Sequence, residues 1–391
     1  MPVWIFRSSQ TGLAGIQGSG LGTLIAALDA CLVNGVNSSS TGWTASWAGG
    51  VATYVKTGHN MPVGPGLVLT ISGFSPAGYN GTAVQCVATD ANTITRSIAD
   101  PSGTPATGTA TVLRSPLTIS GAAWTKSHSG TNLATYRQPT SGANGFYLAV
   151  SDDAAQNSRI RGFETASAAG PADGSGTAGF PSLAQLTGGG YQFRSNTNDT
   201  TARPWILVSN GKIIYFFNQQ TSTAGVGNGF IFGDITTYKG SDLHHSLMTC
   251  DIAASATTTA VRLFNCNVAL AATSGHWLCR SYTGTGGAVT AGKHGNAAFM
   301  NGATEVGAGG FTYPIGVEGG MMLTPLWISE TTLGLRGHLP GLWSACHARP
   351  LTHGDTFTGA TGTPLEGKSF EVFNGGSAAQ LIFESSNTWD A

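Results

Sequence analysis

Charge is what this chain has least of. Its 391 residues include 18 Lys and Arg and 19 Asp and Glu, so 9% are charged, against roughly 25% in ordinary soluble proteins. The formal net charge is −1. A nucleic-acid-binding face needs clustered cations to neutralise phosphates, and no such footprint is present. No apolar run approaches the ~18 residues that read as a membrane-spanning helix, so none is expected. The start, MPVWIFRSSQ, has no basic stretch followed by a long apolar run, and no secretory signal is expected. The six cysteines (Cys31, Cys86, Cys250, Cys266, Cys279 and Cys346) form no C-x-x-C pair and match no zinc framework. They are expected to be buried small hydrophobes.

Glycine and aromatics are abundant instead, with 57 Gly, 9 Trp, 9 Tyr and 17 Phe. Disordered chains lack aromatics and usually carry high net charge. This composition therefore reads as a folded, turn-rich chain. A nearly uncharged surface is poorly soluble when exposed. It is tolerable where partner subunits cover it, which favours a component of an assembly.

The segment GLGTLIAALDACLVNG (20–35) is the clearest helix. Leu21, Ile25, Leu28 and Leu32 recur at spacings of three and four, and Gly35 is a stop. From Ala48 to Arg114 the texture changes to strands: GGVATYV, GLVLTISGF, AVQCVAT, TITRSI and GTATVLR. The turns SPAGYNG and DANT separate them, Asn-Gly and Asp-Ala-Asn reading as positive-φ or Asx turns. Downstream, PWILVSNGKIIYFFNQ is the strongest hairpin signal. GFYLAVSD, VRLFNCNVAL, HWLCRSY and MMLTPLWISE read as further strands. KSFEVFN and QLIFESS read as a terminal hairpin. The stretch 283–310 reads as a long Gly- and Ala-rich loop, and RGHLPGLWSACH as a compact turn with a short helical piece.

The segment from His59 to Val112 carries His59, the run from Gly66 to Gly73, the PAGYNG turn (Pro76 to Gly81) and the exit Ala106-Thr107-Gly108. It resembles a small β-module that recurs in structural proteins of tailed bacteriophages. The rest of the chain resembles a family of uncharacterised phage virion proteins. Its signposts include QTGLAGIQGSGLGTLIAALDACLVNG, GAAWTKSHSGTNLATYRQP, RPWILVSNGKIIYFF and GLRGHLPGLWSACHARPL, spread over most of residues 10–375. The resemblance implies a virion part and no catalytic residues.

Two stretches echo each other, GWTASWAGGVATYV from Gly42 and AAWTKSHSGTNLATYR from Ala122. The β-module lies between them, as if inserted at a surface loop, where insertion is cheapest. The expected organisation is a β-rich main domain with one N-terminal helix (1–45 plus 116–391) and an inserted Ig-like or barrel-like β-module (46–115). The echo would then mark the edges of the insertion, with Trp43 and Trp124 together at its base.

Candidate sites are few. Adjacent Asp152 and Asp153 point to opposite faces of a strand and read as turn formers. Glu164, Asp173, Asp234 and Asp242 are scattered, without the opposed pair of a glycosidase. His244-His245 near Asp242, and His338, His347 and His353 near Asp355, are the best metal candidates, although neighbours such as His244 and His245 diverge on a strand; the alternative is hydrogen-bonded structural histidine. Ser344 lacks the second glycine of a nucleophile elbow, and the glycines at 188–190 lack phosphate-loop spacing. Arg203 and Arg336 are expected to pair with carboxylates or backbone carbonyls. Trp43, Trp124, Trp205, Trp277, Trp327 and Trp343 either fill cores and interfaces or stack on sugars. No catalytic, cofactor-binding or metal residue is assigned, and no cofactor is expected.

The functional expectation is a non-enzymatic structural component of a tailed-phage virion, assembled in the host cytoplasm and associated with the tail or baseplate. It would act through contacts with copies of itself and with other virion proteins. The rivals are a head-decoration or collar protein, and a fibre or tip protein that binds a host-surface glycan. A depolymerase would need β-helix rungs, and no such repeat is visible.

Overall fold

The computed structural model describes the chain except residues 1, 103–105, 140–144, 173, 187–189, 221–226, 251–274, 295–310, 313–322, 331–333, 346, 349–353, 375–379, 387–388 and 390–391. The fold is mainly β, with one short helical segment near the N-terminus. Three large antiparallel sheets carry the architecture, of thirteen, seven and five strands.

The thirteen-stranded sheet starts at Trp4–Arg7 and continues through Trp205–Ser209, Ile213–Gln219, Gly227–Asp234, Ser246–Thr249, His276–Leu278 and Val289–His294. It ends with Leu323–Glu330, Gly334–Ala345, Gln380–Glu384, Ser369–Asn374 and Thr356–Thr358, and the thirteenth strand, Thr236–Thr237, pairs with Gly334–Ala345 off this path. Side chains alternate across a strand, and here both faces are apolar. Leu207, Ile214, Phe216, Phe232 and Met248 join one core, while Val208, Ile213, Tyr215, Phe217 and Leu247 join another. The first core is shared with the helix and with the five-stranded sheet through Tyr136, Leu148, Val150 and Ile160. The second is closed by Leu326, Ile328, Leu339, Leu342 and Phe383 from the C-terminal half of the same sheet, which curls over its own first half. Each such side chain adds about 1.5–3 kcal/mol on burial.

The hairpin Trp205–Ser209 with Ile213–Gln219 forms where the sequence places it. Asn210 Oδ1 accepts the amides of Lys212 and Ile213 (3.0 and 3.2 Å), and Gly211 takes φ +90° against the carbonyl of Thr118. The terminal hairpin also pairs as read. Three readings change. The segment around RGHLPGLWSACH is a twelve-residue strand, Gly334–Ala345, not a compact turn. Its pairing with Leu323–Glu330 shifts register twice, and Gly341, at φ +68°, lies against the Trp389 indole where no Cβ fits. The Gly- and Ala-rich stretch 283–310 contains a strand, Val289–His294, because it finds two sheet neighbours. The helix is α over Thr23–Leu28 and π over Asp29–Asn34; Leu21 precedes it and is exposed. The strand read at VRLFNCNVAL falls outside the described residues.

The seven-stranded sheet comprises Val36–Ser39, Thr44–Ala48, Val51–Val55, Gly64–Ser72, Gly81–Ala88, Thr93–Ser97 and Thr111–Arg114, around an apolar core of its own. It begins at Val36 rather than at 46, because Val36–Ser39 pairs with Thr111–Arg114 and Trp43 and Ala45 enter its core. Trp124 belongs to the core between the other two sheets. The residues that close the base are thus Val36 and Arg114, direct partners across the ladder. The SPAGYNG turn is a 3₁₀ turn at Ala77–Tyr79 rather than a positive-φ Asn-Gly turn. Asn80 stays extended, and its amide bonds both backbone groups of Phe74 (3.0 and 2.8 Å). Buried Arg114 links the module to strand Trp4–Arg7. It donates to the Ile5 carbonyl and to Gln10 Oε1 (2.6 Å each) and lies over the Phe6 ring.

The echo has a plain structural meaning. Both copies are antiparallel hairpins, Thr44–Ala48 with Val51–Val55 and Thr125–Gly130 with Leu133–Arg137, each at the edge of its sheet. Ala45 faces Tyr54 in one and Lys126 faces Tyr136 in the other, and both tyrosines are buried.

Candidate functional site

Seven of the chain's few charged residues gather beside one end of the large sheet. Strand Gly334–Ala345 supplies Arg336, strand Leu323–Glu330 supplies Glu330, and the loop before Ser246–Thr249 supplies Asp242. Arg336 is buried and uses every N–H. It reaches Asp242 Oδ2 (2.6 and 3.1 Å), Glu330 Oε2 (2.7 Å) and the carbonyls of Arg280 and His244 (3.1 Å each). A guanidinium so enclosed is stable only with its carboxylates in place. Beside it, Arg280 grips Glu164 in a bidentate pair at 2.5 and 2.7 Å. That hydrogen bonding raises the Arg280 pKa further. Asp234 accepts from Ser246 (2.6 Å) and Gln138 (3.1 Å), and Lys239 lies over the Tyr282 ring.

Apolar side chains stand exposed around this rigid base. Tyr238, Leu243, Tyr282 and Leu335 are 56%, 59%, 36% and 48% exposed, four of the largest exposed hydrophobics among the described residues. Two of the four bond the residues of the ion network through their backbone. Tyr238 donates its amide to the Arg336 carbonyl (3.1 Å), and Tyr282 donates its amide to Glu330 (2.7 Å). Leu243 sits between Asp242 and His244, and Leu335 adjoins Arg336. Tyr238 also stacks on Trp327, and His338 packs against both rings.

The other sequence candidates are dispersed. Asp152 and Asp153 diverge as expected. Asp153 is exposed, but Asp152 is buried, pairs with buried Arg194 (3.0 Å) and accepts the Leu24 amide (2.8 Å) at the helix start. Burial raises its pKa. It holds the helix in place, a role that a turn former does not have. Arg203 pairs with Asp199 (3.0 Å). Trp43, Trp124, Trp205 and Trp277 are buried in cores, and Trp343 packs edge-on against Phe370. Trp327 alone of the six stands beside an exposed ring. Ser344 is buried. His338 lies on a strand apart from Asp355, and Asp173, His353 and the side chain of His347 fall outside the description. Cys31, Cys86, Cys250 and Cys279 are buried, as expected.

His244 and His245 do separate. His245 Nδ1 contacts the Asp242 carbonyl and faces Asp234, while His244 turns toward Glu164. There, Glu164, His244 and Cys279 bring their ligand atoms within 4.8 Å of one another. Sequence reading missed Cys279, Arg280 and the exposed ring of apolar residues. The available signal was charge scarcity, since each Arg in such a chain needs a partner. No protein-family model matches the chain, and no curated protein matches it.

Proposed function

We propose that the chain is a non-enzymatic structural component of a tailed-phage virion, associated with the tail or baseplate. It acts through contacts with copies of itself and with neighbouring virion proteins. The observation that carries this reading is the exposure of four large apolar side chains, Tyr238, Leu243, Tyr282 and Leu335, on segments that carry or adjoin the Arg336 network. A net charge of −1 leaves little long-range repulsion between copies. The carboxylates nearest the patch are engaged by arginines: Glu164 by Arg280, and Asp242 and Glu330 by Arg336. Burial pushes the Cys279 thiol up, away from the thiolate that a nucleophile needs. The resemblance to phage virion proteins supplies the setting.

Light scattering on the purified chain tests the reading. A symmetric oligomer is expected, and a monomer that stays soluble at high concentration would count against it. A second reading, a tip protein that binds a host glycan, rests on the stacked Tyr238 and Trp327 rings. Glycan-array binding that Trp327→Ala abolishes would favour that alternative.

A further inference from the structure

We propose that Glu164, His244 and Cys279 form a zinc site that ties the five-stranded sheet to the large sheet. Glu164 follows strand Asn157–Phe163 of the former. His244 precedes strand Ser246–Thr249, and Cys279 follows His276–Leu278, both of the latter. One carboxylate oxygen, one ring nitrogen and one sulfur converge within 4.8 Å of one another, and His244 Nδ1 lies 3.8 Å from Glu164 Oε1. In a tetrahedral zinc site, bonds of about 2.0–2.3 Å set the ligand atoms roughly 3.3–3.8 Å apart. The widest separation reaches that spacing with a contraction of at most about 1.5 Å.

A second observation points the same way. The His244 Nδ1 atom is buried and has no hydrogen-bond partner. Buried ring nitrogens are normally satisfied, and a metal supplies the missing bond. Its position is set from both sides. The His244 amide donates to Asp242 (3.0 Å), and the turn at Gly284 lies against the far edge of the ring. Gly284, at φ +75°, would bring a side chain to 3.3 Å from the ring carbon.

The donor set of thiolate, imidazole and carboxylate suits zinc better than calcium or magnesium, which take oxygen ligands. Arg280 is the outer partner of the Glu164 ligand, the arrangement that orients metal-bound carboxylates. Each carboxylate oxygen has two lone pairs, so Arg280 does not exhaust Oε1. The thiolate and the carboxylate offset the charge of the ion in part, since Arg280 already pairs with Glu164. Binding therefore releases the Cys279 thiol proton to solvent, and affinity falls as pH falls. Three protein ligands leave one position for water.

The test is titration of the full chain with Co(II), the spectroscopic stand-in for zinc, followed by competition with zinc. The expected result is one equivalent bound, with a thiolate-to-cobalt charge-transfer band in the near ultraviolet. Cys279→Ser should lose that band, and Cys250→Ser should keep it. If Cys279→Ser does not fold, His244→Ala gives an independent readout, with affinity expected to fall by at least roughly tenfold. No charge-transfer band in the native chain overturns the site. So does a band that survives in Cys279→Ser, or an affinity unchanged in His244→Ala.

Discussion

Arg336 and Asp242 meet at 2.6 Å with both side chains almost closed off from water, 1% and 2% exposed, although they lie 94 residues apart. Removing the arginine would leave Asp242 and Glu330 buried without their cation. Breaking a buried pair from one side costs about 3–5 kcal/mol. Arg336→Met is therefore expected to lower stability by about that amount in chemical denaturation. Arg203→Met, whose partner Asp199 is 40% exposed, should cost less. Equal losses for the two variants would refute the ranking.

The seven-stranded sheet should weaken in mild acid. His59 Nδ1 accepts the Met61 amide at 3.0 Å, and its ring stacks on Trp43. Burial holds its pKa below the ordinary 6.5. The unfolded chain takes up the proton near that value and the folded chain only at lower pH. Between the two, the unfolded state binds more protons, so stability falls as pH drops below about 6.5. His338, also lowered by burial, acts in the same direction. Urea midpoints measured from about pH 7.5 to 5 should therefore drop less steeply in His59→Gln and His338→Gln than in the native chain. Parallel slopes would contradict the assignment.

Val36 and Arg114 are ladder partners, so the segment between them begins and ends at one place. Replacing residues 37–113 with a short Gly-Ser linker should leave cooperative unfolding of the remaining sheets, because a short linker closes that gap at small entropic cost. Arg114 stays in the shortened chain to keep its bonds to Ile5 and Gln10. Loss of the cooperative transition in thermal circular dichroism would show that the module is integral to the main core.

The exposed patch gives a prediction that separates contact from folding. Leu243→Asp and Tyr238→Ser alter side chains that are more than half exposed. Such changes usually shift stability by no more than about 0.5 kcal/mol. Sedimentation should nonetheless show weakened self-association in both. An unchanged oligomer would place the contact surface elsewhere.

Local chemistry made much of the fold legible. The Ser-Asn-Gly turn between two apolar runs fixes the hairpin at 205–219, and the spacing of Ile25, Leu28 and Leu32 marks the helix. Leu21 lies outside it because the left-handed Gly22 is the N-cap and the helix begins only at Thr23. The strand Gly334–Ala345 was hidden by Pro340 and Gly341, which read as a turn but form an irregular stretch of a long strand packed under Trp389. The candidate site was almost wholly illegible. Glu164, His244 and Cys279 come from three separate segments, and only the pairing of Ser246–Thr249 with His276–Leu278 and the shared core with the five-stranded sheet bring them together. Asp152 looked like a turn former because nothing in SDD reveals that Arg194 and the helix start converge on it.

The most direct test of the central claim is an electron cryomicroscopy map of the assembled particle with this chain traced in it. Several symmetry-related copies are expected in the tail or baseplate, with Tyr238, Leu243, Tyr282 and Leu335 pressed against a neighbouring subunit. Particles that lack the chain, or that carry it with those four residues facing solvent, would contradict it.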